Sequence, residues 1–183
     1  MQRDEFFWLS AINKATVVVN RAEGLIGDDT ARLAARGIRA VEEAAAADPA
    51  KRVKTYITYE PLLIEATSPE VTLIHAGRSS QDMLSTVRMA IDRDEALVFA
   101  HAFDAVLEKL IALAEAHRDT IVPNYTNGVA AQPNSYGHYL LGFIHAFLRN
   151  RERLDECLVR YDRSSMGATV LNLSLIHISE PTR

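Results

Sequence analysis

The residues with the richest chemistry in this chain lie between positions 75 and 82, in the stretch HAGRSSQD. Gly77 lets the backbone turn without a Cβ, directly before a segment that is patterned as a long helix. The four side chains that follow the glycine can all donate hydrogen bonds: Arg78, Ser79, Ser80 and Gln81. Beside the unpaired N–H groups of a helix start, such donors suit a carboxylate or a phosphate. An ordinary helix N-cap with one solvated arginine explains the same composition, so this stretch alone leaves both interpretations open.

A second polar stretch, residues 120–138, reads TIVPNYTNGVAAQPNSYGH and joins two long apolar-patterned segments. Its hydroxyl and amide groups can hydrogen-bond an anion or an amine. His138 and His145 follow seven residues apart, which is about 10 Å along a helix and too far to share a metal. We therefore predict no metal site.

The elements around these stretches are predicted to be helical. Residues 78–122 contain neither glycine nor proline and carry two apolar stripes, which predicts one long helix, 82–118, inside a bundle. Pro133 is expected to open a second long helix, 133–163, packed antiparallel to the first. Shorter helices are expected over 4–22, 28–47 and 56–66, and no segment alternates like a strand.

These patterns predict an all-α fold with two parts. An N-terminal helical domain, residues 1–77, is followed by the first two long helices of a central helical bundle, residues 78–172, which is incomplete. The last eleven residues, 173–183, resemble the conceptual translation of a sequencing-library adapter, and we expect this tail to be non-native.

Composition narrows the partners of the chain. With 183 residues, 48% of them hydrophobic, and a net charge of -4, the chain has enough apolar surface for a core and no diffuse basic field. We predict no nucleic-acid partner and no membrane partner. The single cysteine, Cys157, excludes an intrachain disulfide and favours a reducing compartment, so a cytoplasmic location is predicted.

Together the two polar stretches resemble the argininosuccinate lyase branch of the fumarase/aspartase superfamily. GRSSQD at 77–82 resembles the Gly-Arg-Ser-Arg-Asn-Asp motif of that branch. The second signature block of that branch is expected within 120–138, where this chain has TIVP, YT, AQP and GH. The resemblance covers most of residues 10–172. It implies a β-elimination that breaks a C–N or C–O bond of a succinyl compound and releases fumarate, with no cofactor and with a homotetramer for the full-length protein.

The resemblance also assigns candidate site residues. Because a proton beside a carboxylate is a very weak acid, the enzyme must stabilise an aci-carboxylate dianion with preorganised donors. The two catalytic candidates are Thr126 and Asn127. The candidates for binding the small dicarboxylate substrate are Arg78, Ser79, Ser80, Gln81, Lys14 and Gln132.

Two departures from the branch refine the expected substrate. Asn127 stands where argininosuccinate lyases usually place a histidine, and an amide cannot exchange a proton near neutral pH. Ser80 replaces an arginine and removes one positive charge. Both features resemble relatives that cleave aminopolycarboxylates such as ethylenediaminedisuccinate (EDDS). A lyase for an N-substituted aspartate is therefore expected, in preference to argininosuccinate lyase proper.

The general base of the family is a serine on a Gly-Ser-Ser loop, and nothing after residue 172 resembles that loop. We therefore expect the chain to be a fragment that is inactive by itself. Two alternatives stay open at this point: a non-catalytic helical oligomerisation or crystallin-like structural protein, and a muconate-type cycloisomerase.

Overall fold

The computed structural model describes residues 3–166 of the chain. In chain order the elements are α1 (Glu5–Ala22), α2 (Asp28–Ala47), α3 (Tyr56–Ala66), α4 (Ser80–Ala116), β1 (Ile121–Thr126), β2 (Val129–Ser135) and α5 (Tyr136–Tyr161). Two short 3-10 helices, Pro49–Lys51 and Pro69–His75, connect α2 to α3 and α3 to α4. The all-α prediction is confirmed, with one small hairpin as the exception. Across the described residues, no helix is both long and apolar enough to cross a membrane.

The chain divides into two compact units, and α4 contributes to both. The first unit contains the described residues up to Ile91 together with 163–166, and the second contains Asp92–Asp162. The boundary between residues 77 and 78 that the sequence suggests remains a prediction about domain organisation.

The first unit is built around one apolar core from α1, α2, α3, the second 3-10 helix and the start of α4. Its most deeply buried apolar side chains are Leu9, Ile38, Tyr59, Leu63, Val71, Ile74, Met83 and Val87. Asp4 begins α1 as an N-cap, since its carboxylate accepts a hydrogen bond from the Phe7 N–H at 3.0 Å. Arg52 closes this end of the unit by donating to the same carboxylate.

The second unit pairs the C-terminal part of α4 with α5. Arg151 on α5 donates to Asp104 on α4 at 2.6 Å, and the Phe103 and Phe147 rings lie 5.7 Å apart. Nearer the hairpin, the Gly137 N–H donates to the His117 carbonyl at 3.0 Å. Residue numbers rise on one helix as they fall on the other, so the predicted antiparallel packing is confirmed.

The expectation that the chain has no strand is wrong for the stretch between these helices. β1 and β2 form an antiparallel hairpin in which Thr126 pairs with Val129. Asn127 and Gly128 form its two-residue turn with φ of 50° and 81°. Two successive positive φ angles define a type I′ turn, which matches the right-handed twist of the strands and favours Asn-Gly.

The hairpin also changes the expected start of the last helix. Pro133 lies in β2 opposite Pro123 and does not open α5. α5 instead begins after Ser135, whose hydroxyl accepts a hydrogen bond from the His138 N–H at 3.1 Å. A serine side chain can satisfy a free N–H of the first helical turn, which a proline side chain cannot.

Candidate functional site

The first polar stretch forms a turn between the second 3-10 helix and α4, and we call residues 77–81 the entry loop. Gly77 has a φ of +72°, a left-handed conformation in which a side chain would be strained. The Arg78 N–H donates to the His75 carbonyl at 3.1 Å, which closes the turn. The Ser79 hydroxyl accepts a hydrogen bond from the Gln81 N–H at 3.1 Å, so Ser79 acts as a cap at the start of α4.

Arg78 was predicted as a substrate ligand, but its guanidinium is buried, with only 7% of the residue exposed. Its Nη1 atom donates to Asn13 Oδ1 and to Thr16 Oγ1, both at 3.0 Å. Its Nη2 atom donates to the Tyr56 hydroxyl at 3.5 Å. These partners belong to α1 and α3, so Arg78 anchors the entry loop to the first unit by hydrogen bonds.

A stack of planar groups lies behind this anchor. The His75 ring stacks on the Tyr56 ring with centroids 4.4 Å apart, and the Arg78 Cζ atom lies 5.3 Å from the Tyr56 centroid. Burial raises the pKa of Tyr56, whose hydroxyl donates to Glu60 at 3.1 Å. Burial and then the charge of Arg78 lower the pKa of His75 below its usual value. Both rings are therefore held in their neutral forms beside the guanidinium.

Three buried polar atoms in this cluster have no hydrogen-bond partner: Asn13 Nδ2, His75 Nδ1 and Arg78 Nε. Buried polar groups are normally paired, so such a concentration marks a place where the polar network is incomplete. Arg78 and Asn13 are two of the few polar residues that the first unit buries. The cluster is thus a polar region that the sequence has placed next to the entry loop.

Asn13 is not among the predicted site residues, whereas its neighbour Lys14 is. Lys14 does not join the cluster, because its ammonium pairs with Glu42 of α2 at 2.6 Å and its side chain is 56% exposed. Neighbouring residues on a helix point about 100° apart, so the two side chains leave α1 in different directions. The missed signal was available in the sequence, since Asn13 lies on the helical stripe of Phe6, Leu9 and Val17, where a polar residue is unexpected.

The end of the described chain also contributes hydroxyl groups to the start of α4. Ser164 Oγ lies 3.1 Å from Thr86 Oγ1, and Ser165 Oγ donates to the Asp82 carbonyl at 3.3 Å. Residues 163–166 belong to the first unit, as do these partners. No local pattern in the sequence links this segment to the entry loop.

The second polar stretch places its three candidates on the hairpin. Thr126 ends β1, Asn127 occupies the turn and Gln132 lies on β2, and all three are exposed. The structure thus brings Thr126, Asn127 and Gln132 onto one hairpin of the second unit. The entry loop belongs to the first unit, and α4 separates the two stretches along the chain.

The backbone conformation of the turn explains why residue 127 is asparagine. Its φ of 50° lies in the left-handed region, which asparagine adopts more readily than most residues. The type of this residue therefore does not by itself indicate catalysis. Among residues 3–166, no group of three or more histidine, cysteine, aspartate or glutamate side chains is arranged to hold a metal ion.

Comparison with known proteins places the chain in a family. Residues 3–182 match the lyase family Lyase_1, and the chain belongs to that family. Argininosuccinate lyase 1 of Shouchella clausii is 31% identical over 178 residues, which are 92% of this chain and 35% of that protein. The crystal structure of EDDS lyase in complex with formate superposes with a TM-score of 0.81 at 29% identity, over 90% of this chain and 33% of that one. An EDDS lyase variant with bound fumarate gives the same values.

The helical fold and these matches define a member of the fumarase/aspartase superfamily. Within it the chain is argininosuccinate lyase-like and similar to EDDS lyase, which confirms the resemblance seen in its two motifs. The chain spans about a third of the length of these relatives, since the matches cover 35% of argininosuccinate lyase 1 and 33% of EDDS lyase.

Proposed function

We propose that the protein to which this chain belongs is a carbon–nitrogen lyase that eliminates fumarate from an N-substituted aspartate, either argininosuccinate or an aminopolycarboxylate. The observation that carries the proposal is the entry loop, where the neutral donors of Ser79, Ser80 and Gln81 surround the start of α4 and a buried arginine anchors them. A helix start with such donors is suited to a carboxylate. The similarity to EDDS lyase supports the choice of a nitrogen-linked substrate.

In this proposal the reaction is a β-elimination without a cofactor. A base removes the proton next to one carboxylate, the electron pair forms the double bond of fumarate, and the C–N bond breaks as the amine leaves with a proton. Ser79, Ser80 and Gln81 stabilise the carboxylate while its negative charge increases. Thr126 and Gln132 bind the substrate from the hairpin.

Asn127 has a limited role in this chemistry. Its amide can hold a carboxylate or an amine by hydrogen bonds, but it cannot deliver the proton that the leaving amine needs. The proton donor must therefore be another group. Lys14, which the sequence analysis assigned to substrate binding, would have to leave Glu42 before it could neutralise a carboxylate.

We further propose that the full-length protein is a cytoplasmic homotetramer whose sites combine the entry loop and the hairpin of different copies. Support comes from the apolar side chains that the second unit leaves exposed. The most exposed of the larger ones are Val98, Phe99, Val106, Ile121, Tyr125, Val129, Tyr139 and Val159. Apolar surface of this extent is typical of protein–protein interfaces.

The second candidate function is a non-catalytic helical oligomerisation protein. The turn at Asn127 favours it, because the residue satisfies a backbone requirement and has no need to act on a substrate. The same exposed apolar surface would serve assembly alone.

The experiment that separates the two is a fumarate assay on the complete protein and on the 183-residue chain. We expect the complete protein to release fumarate from EDDS or argininosuccinate, and the chain alone to release none, because the base-bearing loop is predicted to lie beyond it. The reverse addition of arginine or of diamines to fumarate would identify the amine. Fumarate from the isolated chain would contradict the expected inactivity, and a complete protein inert with every amine would favour the assembly role.

A matched pair of variants tests the entry loop within the complete protein. Ser80→Ala removes a donor from the proposed site, whereas Ser85→Ala removes an exposed hydroxyl further along the same helix. We expect the first to lower kcat/KM by about tenfold or more, in line with the loss of a hydrogen bond to a charged group, and the second to leave it unchanged.

A further inference from the structure

The charge of Arg78 is buried among neutral partners. Its three hydrogen-bond acceptors are an amide oxygen of Asn13 and the hydroxyls of Thr16 and Tyr56. The Glu60 carboxylate is linked to the guanidinium through the Tyr56 hydroxyl, and its negative charge favours the protonated arginine. Burial opposes the charge more strongly than Glu60 supports it, so an anion that binds nearby becomes more favourable than it would be at a neutral surface.

The hydroxyl groups around Arg78 are oriented to accept hydrogen bonds from its guanidinium. The Thr16 hydroxyl donates a hydrogen bond to the Ile12 carbonyl at 2.8 Å, and the Tyr56 hydroxyl donates one to the Glu60 carboxylate at 3.1 Å. Each oxygen is therefore left as an acceptor facing the guanidinium. This arrangement fixes the position of the charge, which Glu60 balances only in part.

The entry loop supplies little other positive charge. Ser79, Ser80 and Gln81 are neutral, and the first turn of α4 also contains the buried Asp82, which opposes an anion. Lys14, the nearby cationic candidate of α1, is paired with Glu42. The guanidinium is thus the cation that belongs to the entry loop.

We propose that Arg78 is a positioning residue that favours a carboxylate at the entry loop through its buried and only partly balanced charge, without touching that carboxylate. The inference rests on the proposed function, in which the entry loop binds a substrate carboxylate. It differs from the role expected from the sequence, in which Arg78 contacts the substrate directly.

The test is a titration of the isotope-labelled 183-residue chain with sodium succinate at constant ionic strength, followed through the amide NMR signals of residues 77–81. Three variants are compared with the wild type: Arg78→Met, Arg78→Lys and Arg88→Met. Arg88 is an exposed arginine on α4, so its variant removes one charge from the same helix without entering the cluster.

We expect Arg78→Met to raise the Kd for succinate about tenfold or more, the size expected for one unit charge several Å away at an effective dielectric constant of about 20. Arg88→Met is expected to change the Kd by no more than about twofold, because exposed charges are screened. Circular dichroism shows whether each variant is folded.

Arg78→Lys separates charge from direct contact. A buried ammonium loses its proton more readily than a guanidinium, so we expect this variant to bind succinate at about pH 7 and progressively less well toward about pH 9. The wild type is expected to bind equally over that range. Burial lowers the pKa of His75 and raises that of Tyr56, so neither ring gains a charge there, and Glu60 and Asp82 are the acidic groups nearby.

The outcomes distinguish this inference from the proposed function. Succinate binding by Arg78→Met with the affinity of the wild type would overturn the inference and leave the entry-loop site intact. Loss of binding by Arg78→Lys at every pH would also overturn it, since a direct guanidinium contact would then be required, and this result decides the matter if Arg78→Met does not fold. If succinate leaves the entry-loop signals of the wild type unchanged, the proposed carboxylate site and the inference are both wrong.

Discussion

Gly137, at the start of α5, is the position where one added methyl group should most disturb the second unit. A Cβ there would lie 2.5 Å from the Ala114 carbonyl oxygen and 3.0 Å from the Arg118 Cα atom, and both are backbone atoms that cannot rotate away. The two helices must therefore separate at this end, and overpacking of this kind typically lowers the free energy of unfolding by about 1–3 kcal/mol. The Gly137 N–H also donates to the His117 carbonyl at 3.0 Å, and loss of that bond would add about 1 kcal/mol.

Part of this cost is offset, because alanine is a better helix former than glycine by up to about 1 kcal/mol. We therefore expect Gly137→Ala to lower the free energy of unfolding of the second unit by about 1–4 kcal/mol, which combines the overpacking, hydrogen-bond and propensity contributions.

Gly142 provides the matched control, since it lies in the same helix and a Cβ there meets nothing within 4 Å. Gly142→Ala is expected to stabilise the unit by about 0.5–1 kcal/mol, because only the helix propensity changes. Hydrogen exchange at the Leu140 and Ile144 amides measures the opening of this unit separately from the first. Equal exchange protection in the two alanine variants would refute the close-approach argument.

Three further predictions concern charge and turn geometry. The hydrogen bond from Arg52 lowers the pKa of Asp4, so the stability that this carboxylate provides is present above its unfolded pKa of about 3.9 and is lost as the pH falls through the lower folded value. Asp4→Ala should lower the free energy of unfolding by about 1–2 kcal/mol at neutral pH and should weaken the loss of stability at acidic pH. Urea unfolding followed by Trp8 fluorescence measures both effects. Burial lowers the pKa of His75, so stability should fall as the pH drops below about 6.5, and His75→Phe should remove this dependence in the same assay. Gly128→Ala should cost about 1–2 kcal/mol of hairpin stability, visible as faster exchange of the strand amides, because it forces a Cβ into the left-handed region.

Local signals were enough to predict the helices of the first unit. The bounds 28–47 and 56–66 match α2 and α3, because Gly27 and the Asp48-Pro49 and Ser68-Pro69 pairs mark the ends of these helices in the sequence itself. The long helix α4 was also predictable, since a segment of this length without glycine or proline has no competing local structure. Such elements depend on neighbouring residues, which a sequence displays directly.

The surroundings of Arg78 could not be predicted in the same way. Its partners Asn13 and Thr16 lie 65 and 62 positions earlier in the chain. An arginine beside a helix start has the same local pattern whether its guanidinium faces solvent or the core, and only the packing of α1 against the 3-10 helix decides between them. The sequence therefore predicted a polar entry loop but could not show that the Arg78 side chain is buried against α1 and α3.

The hairpin shows how a backbone requirement and a chemical one can fall on one residue. The turn needs a positive φ at position 127, and asparagine and histidine are both among the residues that enter the left-handed region more often than average. The histidine that argininosuccinate lyases usually place there and the asparagine of this chain can therefore support the same turn. Exchange between them preserves the geometry that presents Thr126 while it removes a group able to transfer protons near neutral pH. The fold can thus be retained through a change in chemistry at this position.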